Sequence, residues 1–242
     1  MKAIEYHING IIETFEQLSK GRFLLYFIPG IMVTFIYAYF LWRAQEVDQI
    51  FEVESKYDWL NLIFGTIEDG VNIFVDLYCL LLEQIYIFVV LTILAPVNTL
   101  LGEKLDERIS GKESKGGVIR FINDLIRMIF VVILALLLEL LFISLYWIIS
   151  SLLGFPEIVN TIFYFLIAAF FFGFAFYDFA LERYSKGVFS SLSFAFSHLL
   201  GMIVLGSIFL GIYSIPWVGI LLAPVLSIMI STVAYLYYTK QH

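Results

Sequence analysis

Two stretches of this chain are long and apolar enough to dictate how it folds. Phe23–Trp42 runs for twenty residues without a charge, and Met128–Leu153 runs for twenty-six with one acid, Glu139. A helix rises about 1.5 Å per residue, so about twenty residues cross the roughly 30 Å of bilayer hydrocarbon. Backbone amides find no water there and must pair within the segment, which helices achieve. The rest of the composition agrees: 61% of the 242 residues are hydrophobic, 14% are charged, and mean hydropathy is +0.93. Soluble domains run near about 45–50% and about 25%. These values exclude a soluble enzyme and a disordered chain. A pI near 4.9 without a dominant basic patch excludes nucleic acid as a partner. The chain reads as one all-α integral membrane domain over residues 1–242, with membrane lipids as its surroundings.

Five segments follow from the pattern. Residues 1–19 place Ile4, Ile8, Ile11, Ile12, Phe15 and Leu18 on one helical stripe with a polar back, which predicts an amphipathic helix on the membrane surface. This segment lacks the apolar core and cleavage site of a signal peptide. Residues 22–44 form the first span, with Pro29 expected to kink it. Residues 59–111 form a second long helix whose charged end, LGEKLDERISGKESKGG (101–117), leaves the membrane. Residues 118–177 form a hairpin turned at GFPE (154–157), and 187–238 form an amphipathic helix followed by a hairpin turned at SIPWVG. Leu199–Tyr213 would rise only about 22 Å. The two proline-turned hairpins therefore suit re-entrant dips as well as full crossings. Ser207–Gly211 and Ser227–Ser231 are small-residue pairs that favour close helix packing.

Charge sets the orientation. Residues 98–127 hold six basic residues, whereas 43–83 hold two against nine acids, so the first stretch is expected in the cytoplasm together with both termini. Cys79 is alone and forms no internal disulfide. No nucleotide-binding loop, zinc-protease motif or nucleophile elbow is present, and no cofactor or metal is expected. The chain is not read as an enzyme.

Three stretches resemble a known family. LAPVNTLLGEKLDERISGK (94–112) looks like the A-P-F-x-x-L-L-A-E-x-L-E-x-R-L-T-G segment of the CysZ sulfate permeases, a family whose wider membership includes the eukaryotic etoposide-induced membrane protein. AFYDFALERYSKGVFSSLSFAF (175–196) is similar to the family's Y-x-D-Y-P-x-x-R region and the amphipathic helix after it. NDLIR (123–127) opens the Leu-rich helix that contains Glu139. The resemblance implies two long transmembrane helices, two partly penetrating hairpins and a homo-oligomer. It also implies ATP-independent movement of a small inorganic anion, sulfate first, across the cell inner membrane. The alternative within the same family is a scaffold that recruits partners without transport.

The resemblance places the anion at Lys20, Gly21 and Arg22. A helix N-terminus offers free amides and partial positive charge there, and a guanidinium can grip two oxygens. Where the bacterial permeases have Gly-x-Arg-Arg, this chain has Gly21-Arg22-Phe23-Leu24. Glu103 and Arg108 match family positions in the charged helix, which implies a role in the oligomer core or gate. Spacing places Glu103/Glu107 and Lys104/Arg108 in adjacent stripes. Glu139, Asp178 and Arg183 read as structural polar groups; Glu139 is expected to be protonated or paired across helices, with Arg183 as a candidate partner. Asp69, Asp76 and Glu83, seven apart, form an acidic stripe that suits the external end of a long helix and repels a dianion.

Overall fold

The computed structural model describes residues 2–36, 39, 85–111, 118–184, 186–216 and 218–239, and the described residues contain helices and turns without a strand. In chain order the helices are α1 (Lys2–Ser19), α2 (Leu24–Ile36), α3 (Ile85–Ser110), α4 (Val118–Leu153), α5 (Glu157–Arg183), α6 (Val188–Ser197), α7 (Leu199–Tyr213) and α8 (Val218–Thr239). Four described segments are long and apolar enough to cross a membrane: α3, Leu125–Leu153 of α4, α5 and α8. Two further pairs are bent, α1 with α2 by 104° and α6 with α7 by 93°. The acidic stripe of Asp69, Asp76 and Glu83 lies outside the described residues.

The α1 helix has three faces rather than two. Ile4, Ile8, Ile12 and Phe15 are exposed on one side, and Glu5 and Glu16 are exposed on the next. The third face, with Tyr6, His7, Gly10, Thr14 and Gln17, is buried. Four of the six expected apolar positions thus face outward, Ile11 and Leu18 pack against the core, and the Gly10 face lies on α8. A Cβ on Gly10 would stand 2.9 Å from the Ile230 carbonyl oxygen, so this crossing requires glycine.

Pro29 does not kink a continuous twenty-residue helix, contrary to expectation. The segment opens with a tight 3-10 turn at Leu24–Phe27 and becomes α-helical at Ile28, so Pro29 stands in the first α-helical turn. Its missing N–H has no partner to lose there.

The core is aromatic and centres on α5. Phe172 stacks on Phe88 of α3 at 4.8 Å, and Phe209 of α7 packs on Phe172 and Phe176 at 5.0 and 4.8 Å. Backbones of α5 and α7 nearly touch. A Cβ on Gly206 would lie 1.7 Å from the Ala169 oxygen, and one on Gly173 would lie 2.0 Å from the Met202 oxygen. The expected Ser207–Gly211 pair therefore sits beside the contact rather than in it, because Gly211 is open and Gly206 faces α5. Ser227 and Ser231 are both buried, and the Ser231 hydroxyl donates to the Phe176 carbonyl at 3.2 Å, tying α8 to α5.

The first hairpin is fastened at its turn. Gly154 takes a left-handed φ of 65°, and Tyr146 and Ser150 donate to Asn160 Oδ1 at 3.0 and 2.5 Å. Proline turns mark this end of the bundle. Ion pairs mark the other.

Candidate functional site

The α1 helix stops where Gly21, at φ 69°, lets its last carbonyls be capped: Gly21 N–H donates to Leu18 O at 2.9 Å and Arg22 N–H to Gln17 O at 3.3 Å. Phe23 follows at φ 64°, a left-handed conformation that costs a non-glycine residue about 1–2 kcal/mol. Its ring packs near Tyr26 and against the core, which holds the strained residue in place. The tight turn that opens α2 uses early amides itself: Tyr26 N–H donates to Phe23 O at 3.1 Å, and Ile28 N–H donates to Leu25 O. Lys20, Gly21 and Arg22 thus form an exposed to half-buried corner between α1 and α2.

Both basic side chains of the corner are engaged. Lys20 pairs with Glu16, and the ammonium, by hydrogen bond and charge, holds the Glu16 carboxyl below its usual range. Arg22 Nη1 donates to Gln17 Oε1 at 3.0 Å, and Gln17 Nε2 donates on to Glu13 Oε1 at 2.6 Å. The pair is open to water, with Lys20 and Glu16 side chains 45% and 51% exposed. Exposed pairs of this kind add little to stability.

The corner lies beside the charged end of α3. Tyr26 is within electrostatic reach of Lys104, Glu103 and Glu107. Lys104 pairs with Glu107 at 2.8 Å, and Arg108 is exposed one turn further on. The pairing is three residues apart, across the two expected stripes rather than along either. Glu103 is half-buried, and its backbone carbonyl accepts from Arg183 Nη1.

Two arginine clamps close this end of the bundle. Arg127 of α4 meets Asp178 of α5 through two parallel bonds, Nη1 to Oδ2 at 3.0 Å and Nη2 to Oδ1 at 2.9 Å, and also donates to Ser191 of α6 at 3.0 Å. Arg183 pairs through Nε with Asp106 of α3, while the hydroxyl of Tyr184, just beyond α5, lies 3.2 Å from both Asp106 oxygens. Burial, then the Asp106 carboxylate, pushes the Tyr184 phenol well above its usual range. Asp106 and Asp178 are each 2% exposed.

Of the expected structural groups, Asp178 and Arg183 join these clamps. Arg183 does not reach for Glu139, because Asp106 and the Glu103 carbonyl occupy its guanidinium. Glu139 is fully buried in the middle of α4, and neither of its oxygens finds a hydrogen-bond partner among the described residues.

Asp106, Tyr184, Ser191 and Arg127 were not singled out by sequence as site groups. Arg127 carried one signal, a basic residue at the mouth of an apolar run, but its partner is 51 residues away. Nothing in the local pattern distinguishes Asp106 from its charged neighbours.

No curated protein and no solved structure shows a significant match to this chain. A family model described as sulfate transporter CysZ/etoposide-induced protein 2.4 matches residues 11–224. That span takes in the basic corner, the charged end of α3, both clamps, the first hairpin, and α7 with the start of α8. This multi-pass helical membrane protein belongs to the sulfate transporter CysZ/etoposide-induced protein 2.4 family.

Proposed function

We propose that the protein carries a small inorganic anion, sulfate first, across the cell inner membrane without ATP, as a transporter or channel. Membership of a transporter family supports this reading and argues against an enzyme. The observation that carries it furthest is the corner at Lys20–Gly21–Arg22. It combines Lys20, paired with exposed Glu16, and half-buried Arg22, bonded to the neutral side-chain amide of Gln17, at the start of α2. Arg22 would take two oxygens of the anion, Gly21 would admit it close to the backbone, and Lys20 would supply further charge. Glu103 and Arg108, beside that corner on α3, would shape the gate in a homo-oligomer. Both termini would then lie in the cytoplasm.

Labelled sulfate uptake by proteoliposomes tests this. Uptake above empty vesicles, competed by unlabelled sulfate and independent of ATP, is the expected outcome. No uptake from folded protein would set the reading aside. A non-transporting scaffold is the second reading, favoured by one observation: Lys20 and Arg22 already have partners in Glu16 and Gln17.

A further inference from the structure

The inward face of α1 holds a group that neither the anion corner nor the clamps use. His7 is 1% exposed. Its Nδ1 lies 2.6 Å from the Ala3 carbonyl oxygen and its Nε2 lies 2.9 Å from the Tyr177 hydroxyl of α5. A carbonyl can only accept, so Nδ1 carries the hydrogen; Nε2 then offers a lone pair and Tyr177 donates to it. This is the bonding of a neutral imidazole.

The surroundings suit that form and not the cation. Among the described residues, the titratable group against His7 is the Tyr177 phenol of α5, with Tyr238 of α8 beside the same pocket and Tyr6 of α1 and His198 from the α6–α7 junction packed on Tyr238. The Tyr177 ring meets the His7 ring edge-on at 5.8 Å, and the Tyr238 ring stands 4.8 Å from Tyr6 and 5.0 Å from His198. Gly201 of α7 closes the pocket; a Cβ there would stand 2.9 Å from the Tyr238 hydroxyl and 3.6 Å from His7 Cε1. The acids Glu5 and Glu16 of α1 sit on its exposed side. Burial holds the imidazole below its ordinary 6.5, partly opposed by the bond to Ala3, and no carboxylate is among the groups acting on it.

We propose that His7 is an acid-sensitive release for α1, in which a proton on Nε2 displaces the bond from Tyr177 and unseats the helix from α5, α7 and α8. Once protonated, Nε2 becomes a donor aimed at another donor. Tyr177 can answer only by turning its own hydrogen away into an aromatic pocket, and the new charge has no counter-ion there among the described residues. The lost contacts include the glycine-tight crossing of Gly10 on Ile230. Because α1 runs directly into Lys20–Gly21–Arg22, its release moves that corner as well.

The direction follows from linkage. The free imidazole titrates near 6.5 and the seated one lower, so the released form binds the extra proton. Seating is complete above about pH 6.5 and weakens by about tenfold per unit as pH falls below it, until the seated imidazole itself titrates.

Amide hydrogen exchange of the full chain in lipid nanodiscs, at about pH 7.5 and about pH 5, reads this directly. Protection factors, corrected for intrinsic exchange at each pH, should drop by about tenfold or more across residues 3–18 at the lower pH and hold steady in α7. In His7→Gln, which stays neutral, α1 protection should be the same at both values. Tyr177→Phe, which keeps the imidazole and removes its donor, should move the release to higher pH. Unchanged α1 protection in the wild type would overturn the proposal. So would a His7→Gln variant with the same pH response, or a Tyr177→Phe variant with an unmoved midpoint.

Discussion

Arg22 and Arg127 each donate a side-chain bond of 3.0 Å, yet they serve opposite ends. Arg22, itself half-buried, bonds the neutral side-chain amide of Gln17. Arg127, with its side chain 19% exposed, grips a carboxylate that is 3% exposed through two parallel bonds and adds a serine from a third helix. A guanidinium can bind a ligand only where its present partner is cheaper than the ligand. Desolvated, doubly bonded Arg127 fails that condition, and the proposed function requires that Arg22 meets it. The charge of the partner and the number of bonds, not the chemistry of the guanidinium, separate these two arginines.

The largest test of this division is Asp178→Ala. It leaves Arg127 buried without its counter-charge, and a broken buried pair costs about 3–5 kcal/mol. Chemical unfolding in detergent should show that loss, with α4, α5 and α6 losing protection together. Next comes Arg183→Met. Tyr184 still donates to Asp106 in that variant, so a smaller loss of about 2–3 kcal/mol is expected by the same measurement.

At the corner the effects on stability should nearly vanish. Lys20→Ala should shift unfolding by less than about 0.5 kcal/mol. Glu16→Gln should do as little to stability while freeing Lys20, so sulfate binding should strengthen by up to about fivefold at low salt and by less at high salt. A corner variant as destabilising as Asp178→Ala would erase the distinction between the two regions.

The sequence made the helices legible because apolar runs, charged breaks and proline turns are local features. The basic corner was legible for the same reason: Lys20, Gly21 and Arg22 are adjacent, and the break they make is set by one glycine. Pairings across helices were not. Arg127 meets Asp178 across 51 residues, and Tyr177 meets His7 across 170, so register and helix rotation decide who meets whom. Glu139 shows the limit from the other side. Its isolation in an apolar run was plain, but its expected candidate partner, Arg183, is drawn instead to Asp106, a carboxylate within a hydrogen bond's reach at the same end of the bundle. The small-residue pair at Ser207 and Gly211 was one position away from the residue that matters. Only the rotation of α7 against α5 selects Gly206.

Anion transport as proposed requires Arg22 as the acceptor. Labelled sulfate uptake by Arg22→Ala in proteoliposomes, beside wild type and at matched thermal stability, tests that claim most directly. Uptake should fall to the level of empty vesicles while the unfolding midpoint stays in place. Uptake equal to wild type from the folded variant would contradict it.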